Sequence, residues 1–325
     1  MSASPKQQSD DEVEEVQQVE EGKEALQKNQ FDITGLADDE TVIDLTHTRA
    51  DHIPEMARFT VLEELVMRNN LLTVISPTIT SLTSLVELDL YENQLTEIAN
   101  LEPLVNLVKL DLSYNRIRKI EGLATLTKLD TLYLVHNKID KIQGLETLTN
   151  LKLLELGDNR LRLIENLDTL VNLEELYFGK NKIRSITGLE NQSKLRLLSA
   201  PGNRFVKIEG ISHLENLTEL YLSDQGLESI EGVEHNKNLT TLDIANNAIS
   251  TLGEIQQLEK LEDLWANNNK IDSYKELAKL EKLPSLDTVY LEHNPIYTND
   301  MTAYRRKVML ALPQIKQLDA NLCAR

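Results

Sequence analysis

Asp111, Tyr133, Glu155 and Tyr177 recur at a constant stride, and the same stride runs on through Ser199, Tyr221, Asp243 and Trp265. Carried into the neighbouring copies, the row reads Asp44, Val66, Asp89, Asp111, Tyr133, Glu155, Tyr177, Ser199, Tyr221, Asp243, Trp265 and Tyr290. Five of these are acidic, five are aromatic, and none is lysine or arginine. Aromatic residues make up 4% of the chain, so chance places about half a residue among twelve positions. Glu64, Glu87, Glu175, Glu219 and Asp263 flank the row and add carboxylates to it. This pattern suits recognition rather than turnover. Aromatic rings are common anchors of protein interfaces, and carboxylates attract a basic partner. The rings interrupt the carboxylates, so the acid is not gathered as a metal site requires.

Catalytic constellations are missing. The six histidines, His47, His52, His136, His213, His235 and His293, are scattered over different repeats and register positions, and none pairs with a cysteine at metal spacing. The chain has no phosphate loop, no nucleophile elbow and no HExxH pair. No catalytic residue, metal ligand or cofactor is assigned, and the chain is read as a non-enzyme.

The elements that position the row follow from the stride. "LVELDLYENQLTEI" (85–98), "LVKLDLSYNRIRKI" (107–120), "LDTLYLVHNKIDKI" (129–142) and "LKLLELGDNRLRLI" (151–164) superpose with a 22-residue period, and the first leucine recurs from Leu85 to Leu261. With copies starting near residues 40, 62 and 286, there are about twelve repeats of the form LxxLxLxxNxIxxI. Self-similarity at this period is the signature of a leucine-rich-repeat solenoid. Alternation in "LxL" predicts a short strand with its leucines on one face and the intervening residue on the other. The row therefore lies on the concave side of a parallel sheet. Aromatic neighbours there could also serve as a packing device across strands, but adjacent carboxylates such as Asp89 and Asp111 argue for a surface that awaits a cation. The asparagine of each copy (Asn70, Asn93, Asn115 and onward, with Gln225 in one) is expected to bond backbone groups at the turn. The return stretch, with Gly122, Gly144, Gly188, Gly210 and Gly232, is expected to form 3-10 or irregular turns, because so short a repeat leaves little room for a helix.

An open array needs caps. Residues 31–61, with Phe31, Ile33, Leu36 and Phe59, are assigned to the N-terminal cap and first repeat, 62–299 to the solenoid, and 300–325 to a C-terminal helical cap. Met301, Tyr304, Val308, Met309 and Leu312 fall on one helical face there, Pro313 ends the helix, and Arg305, Arg306 and Lys307 form its solvated side. Residues 1–30, with eight acidic residues and three lysines, are read as a disordered acidic tail. The formal charge of −19 and pI near 4.8 disfavour nucleic acid and anionic lipid as partners. Cys323 is the single cysteine, so no disulfides staple the caps, and the sequons at Asn191, Asn216 and Asn238 are read as incidental. The N-terminus has no apolar core and no stretch reaches the length of a membrane span, which sets the expectation of a soluble chain in nucleus and cytoplasm.

The 22-residue repeat, the "NxIxxIxGLxxL" pattern and the "LPQIKQLD" ending (312–319) resemble the leucine-rich-repeat regulatory subunit of protein phosphatase 1, the regulatory subunit 7 family. The resemblance covers residues about 40 to 325. It implies a non-catalytic regulator that grips the phosphatase catalytic subunit with its concave face, holds it in an inactive, metal-poor state, and takes part in its maturation, nuclear delivery and mitotic control. A third, inhibitory subunit is compatible with it. Carried over by position, the partner contacts are Asp111, Tyr133, Glu155, Tyr177, Asp243, Asp263, Trp265 and Tyr290. The family often has Phe where this chain has Tyr133 and Tyr177, and Glu where it has Asp263. The alternative is another intracellular leucine-rich-repeat adaptor, a spliceosomal or cytoskeletal scaffold.

Overall fold

A computed structural model describes residues 27–323. Most of the acidic tail, residues 1–26, lies outside the described residues. Asn29 and Gln30, assigned to that tail from sequence, donate backbone N–H groups to Arg49 O (3.1 Å) and Thr48 O (2.6 Å).

Each repeat contributes a three-residue strand centred on an inward leucine or its equivalent. In chain order these are β1 (Val42–Asp44), β2 (Glu64–Val66), β3 (Glu87–Asp89), β4 (Lys109–Asp111), β5 (Thr131–Tyr133) and β6 (Leu153–Glu155). They continue as β7 (Glu175–Tyr177), β8 (Leu197–Ser199), β9 (Glu219–Tyr221), β10 (Thr241–Asp243), β11 (Asp263–Trp265) and β12 (Thr288–Tyr290). Each pairs in parallel with the next, and a single sheet runs through all of them. β13 (Gln317–Leu318) adds one more parallel strand, and β14 (Asn321–Leu322) turns back antiparallel to close the edge. The central residue of each strand is buried and its two neighbours face outward, as the pleat dictates. The remaining apolar positions of the repeat, such as Leu112, Ile117, Ile120, Leu123 and Leu126, are buried behind the sheet in one continuous core.

The asparagines form the expected ladder. Asn115 donates its Nδ2 to Leu90 O, Leu112 O and Ser113 O (3.0–3.1 Å), while its Oδ1 accepts Leu95 N at 2.9 Å. Asn137 and Asn159 repeat this set one and two turns on. At the C-terminal end Asp319 takes over the acceptor part. Its Oδ1 receives Leu291 N and Glu292 N, and its Oδ2 receives the Tyr304 hydroxyl at 3.0 Å. The residue before each ladder asparagine is left-handed, even where it is bulky: Tyr114 has φ 55° and His136 φ 51°. Among the return-stretch glycines, Gly210 shows why no Cβ is tolerated. It has φ +73°, and a Cβ there would overlap Ile186 O.

The convex side is mostly turns, with 3-10 segments at Pro77–Ser81 and Ile255–Gln257. One expectation fails here: an α-helix, α1 (Tyr274–Leu280), forms on that side. The step from Leu261 to Leu286 is longer by three than the 22-residue steps that run from Leu85 to Leu261, and the insertion supplies most of a helical turn. Ser273 caps α1 by accepting Lys275 N at 3.2 Å, and Glu276 ties it back to Leu252 N at 2.8 Å.

The C-terminal cap holds a short helix α2 (Pro295–Thr298) and the expected helix α3 (Met301–Ala311), capped by Asp300. Tyr304, Val308 and Leu312 are buried against the end of the array, but Met301 is 61% exposed, contrary to the helical-face reading. It sits in the first turn, where the helix has not yet reached the core. Arg305 is not simply solvated either: its guanidinium donates to Leu318 O (3.2 Å) and Leu322 O (2.7 Å), fastening the last hairpin to α3. At the opposite end Phe59 is fully buried, with Arg58 stacked 4.1 Å over its ring and donating to Leu36 O.

Candidate functional site: the concave row

The strand register aligns the row without a slip. Asp111 pairs with Tyr133, Tyr133 with Glu155, Glu155 with Tyr177, Asp243 with Trp265 and Trp265 with Tyr290. Asp263 lies one column over, beside Thr241 and Thr288. All eight sequence-assigned residues therefore occupy the concave face, seven of them in one column. They fall in two groups. Asp111 to Tyr177 spans β4 to β7, and Asp243 to Tyr290 spans β10 to β12, with Ser199 and Tyr221 between.

The second group is the more apolar. Trp265 is 37% exposed. Its ring lies 6.1 Å from Tyr221, two repeats back, and 6.4 Å from Tyr290 in an edge-on pair. Ser223, Asp243, Ala245, Asn246, Asn267 and Glu292 complete a shallow recess of about 330 Å³ around the tryptophan and Tyr290. The Tyr290 hydroxyl is held by Gln317 Nε2 at 2.8 Å, so the ring is fixed by the C-terminal cap.

The tyrosines are tied to the acidic flank. Tyr177 donates its hydroxyl to Glu175 (2.7 Å), and Tyr221 does the same to Glu219 (2.8 Å), two residues back along the strand in both cases. Burial and that carboxylate push the Tyr177 phenol well above the ordinary tyrosine range, and the same causes push Tyr221 up to about 12. Both phenols stay protonated donors at any ordinary pH.

The aspartates of the row have a local task that the sequence reading did not assign. Asp44, Asp89, Asp111 and Asp243 each accept the backbone N–H two residues on, at 2.8–3.0 Å. Each thereby shapes the exit from its strand. The signal was present, since aspartate at this position can form such a turn and tyrosine cannot. The argument that Asp89 and Asp111 need a cation from outside is also met in part internally, because Arg68 pairs with Asp89 at 2.5 Å. Lys109 pairs with Glu87 at 3.1 Å, and Arg196 bonds Glu175 and reaches Glu219 at 3.8 Å. These cations sit beside the row, where its own lack of Lys and Arg gave no hint of them.

Three carboxyls of the row remain costly to ionise. Burial raises the Asp111 pKa, helped by the charge of Asp89; burial raises Glu155, helped by Asp111; and burial raises Asp243. A surface that buries carboxylates without full pairing is poised to gain from a cationic partner. A separate stack, also missed from sequence, runs along the rim: Arg68 over Tyr91, Tyr91 to Tyr114 at 4.9 Å and Tyr114 to His136 at 4.8 Å. Among the described residues no cluster of three or more metal-capable side chains forms. No described helix is long and apolar enough to cross a membrane. The amides of Asn191, Asn216 and Asn238 all donate to backbone carbonyls of the preceding repeat.

Comparison with known proteins gives a consistent picture. Family profiles described as "Leucine-rich repeat", "Leucine rich repeat" and "Leucine Rich repeats (2 copies)" match residues 184–323, 60–117 and 105–147. A stretch of 83 residues is 64% identical to the "Protein phosphatase 1 regulatory subunit SDS22 homolog" of Caenorhabditis elegans, covering 26% of each chain. A stretch of 45 residues is 53% identical to "Protein phosphatase 1 regulatory subunit 7" of Homo sapiens, covering 14% of this chain and 12% of that one. The matched stretches thus span about a quarter or less of these relatives. Among solved structures, an internalin of Listeria monocytogenes superposes over 87% of both chains with a TM-score of 0.68 at 24% identity. Internalin C2 of the same organism superposes over 57% of this chain and 83% of its own, with a TM-score of 0.54 at 31% identity. These two establish the solenoid fold.

Proposed function

We propose that this chain, which belongs to the leucine-rich-repeat proteins and shares sequence with protein phosphatase 1 regulatory subunits, is itself a non-catalytic regulator that binds the protein phosphatase 1 catalytic subunit on its concave face. The observation that carries the reading is the register-aligned row from Asp111 to Tyr290, in which, Ser199 apart, rings and carboxylates lie on the face opposite the leucine core. Asp111, Tyr133, Glu155, Tyr177, Asp243, Asp263, Trp265 and Tyr290 supply the contacts. The aromatic group around Trp265 takes an apolar anchor of the phosphatase, and the buried carboxyls take its basic groups.

Regulation follows from differential affinity. A binder that fits the metal-poor form of the phosphatase better than the metal-loaded form shifts the population toward it. Roles in maturation and mitotic control, action in nucleus and cytoplasm, and a third inhibitory subunit belong to the same proposal. The test is a binding measurement between the purified chain and the catalytic subunit, with phosphatase activity read at the same time. Saturable binding that lowers activity supports the reading. Absence of binding with either metal-loaded or metal-free phosphatase overturns it.

A further inference from the structure

The interior of the solenoid repeats so regularly that departures from it are conspicuous, and three fall between residues 192 and 236. Gln192 and Asn236 occupy the convex core position that Leu170, Leu214 and Leu258 hold in the neighbouring repeats. Both are 0% exposed. The Gln192 amide donates to Leu167 O at 2.7 Å, and the Asn236 amide to Ile211 O and Leu214 O, yet Gln192 Oε1 and Asn236 Oδ1 have no hydrogen-bond partner among the described residues. A buried acceptor without a donor destabilises the layer that contains it.

The third departure is in the ladder. Gln225 replaces its asparagine, and its Nε2 reaches only Ala200 O, whereas Asn181 and Asn247 each reach three carbonyls. The acceptor side is the longest of the ladder by a small margin: Phe205 N to Gln225 Oε1 is 3.2 Å, against 3.0 Å for Ile183 N to Asn203 and 3.1 Å for Leu227 N to Asn247 in the repeats on either side. In an array where each repeat contacts only its neighbours, a weak interface is not compensated from elsewhere. The same interval separates the two groups of the concave row, and Ser199, the smallest side chain of the row, lies within it.

We propose that the concave face is a two-lobed clamp that flexes over residues 192–236, so that β4–β7 and β10–β12 adjust to each other around one rigid, folded partner. This rests on the binding face assigned above. Gln192, Gln225 and Asn236 act as positioning residues: they touch no partner and set how far the lobes can move.

Hydrogen exchange on the full chain tests it. Amides of β8 and β9 are expected to exchange at least about tenfold faster than those of β5 and β6, because local opening is governed by local stability. Restoring the repeat pattern with Gln192→Leu, Gln225→Asn and Asn236→Leu together should slow β8 and β9 to the level of β5 and β6 and leave the latter unchanged. The substitutions leave no carbonyl without a donor, since Leu167 O, Ile211 O and Leu214 O keep backbone N–H partners from Leu170, Leu214 and Leu217. Uniform exchange across the array in the unsubstituted chain overturns the clamp, whatever the variant does. The same preparation is titrated with the phosphatase catalytic subunit. Binding with uniform exchange sinks the hinge and leaves the proposed function standing, and uneven exchange without binding does the reverse.

Discussion

Replacing Trp265 with alanine separates a binding residue from a packing residue. The side chain lies on the concave face with 37% of its surface exposed. Its burial comes from Tyr221 and Tyr290, at 6.1 and 6.4 Å, and from the rim of the recess, not from the leucine core, where Leu264 and Ala266 on either side of it are fully buried. Truncation therefore opens no internal cavity. It removes two aromatic pairings, each worth about 0.5–1.5 kcal/mol, so the expected stability loss is about 1–3 kcal/mol. A central aromatic anchor costs roughly 2 kcal/mol or more in binding when truncated, which is about a 30-fold rise in Kd at 25 °C. The assay measures denaturant stability and phosphatase affinity on one preparation. A large stability loss with unchanged affinity would show that the tryptophan only braces Tyr221 and Tyr290, and the assignment of the site would fall with it.

Other perturbations reach the ladder, the turns and the charge. Asn137→Ala leaves Ile117 N buried without its 3.0 Å acceptor and should cost about 1–3 kcal/mol; unchanged urea stability would refute the structural role of the ladder. Gly210→Ala forces a Cβ against Ile186 O in a left-handed residue, so the expected result is loss of folded protein, or exchange of the β8 and β9 region at rates far above the parent. The raised pKa values of Asp111, Glu155 and Asp243 give affinity a definite pH sign. A cationic partner favours the ionised form, so affinity should be lost as pH falls through those raised values, starting at higher pH than ordinary carboxylates would allow, and should level off near neutrality. Calorimetric titration across that range checks it, and a flat profile would mean these carboxyls do not meet cations. The effect on folding has the opposite sign: with folded pKa values raised by burial, the three groups contribute stability that is fully present below their unfolded pKa values and lost as pH rises through the folded ones.

Twelve strands, their order, the concave direction of the row and the asparagine ladder were all legible in the sequence. A repeat that buries its leucines only by stacking leaves one topology, and a period of two within "LxL" leaves one orientation for Tyr133 or Trp265. The extra helix α1 was legible in principle, in the lengthened step before Leu286. Other features needed the three-dimensional arrangement. Arg68 and Asp89 belong to successive repeats, and Arg196 stands one repeat away from both Glu175 and Glu219. Whether such side chains meet depends on rotamers and sheet curvature, which no spacing encodes. Arg305 looked like one of three solvated cations until the terminal hairpin brought the carbonyls of Leu318 and Leu322 to it. Met301 followed the helical period of the cap and was still left in water, because periodicity says which side chains share a face and not how far that face extends over the core. The buried oxygens of Gln192 and Asn236 are visible in sequence only as two missing leucines. That they lack donors depends on the position of every neighbouring backbone group, and only the folded array determines that.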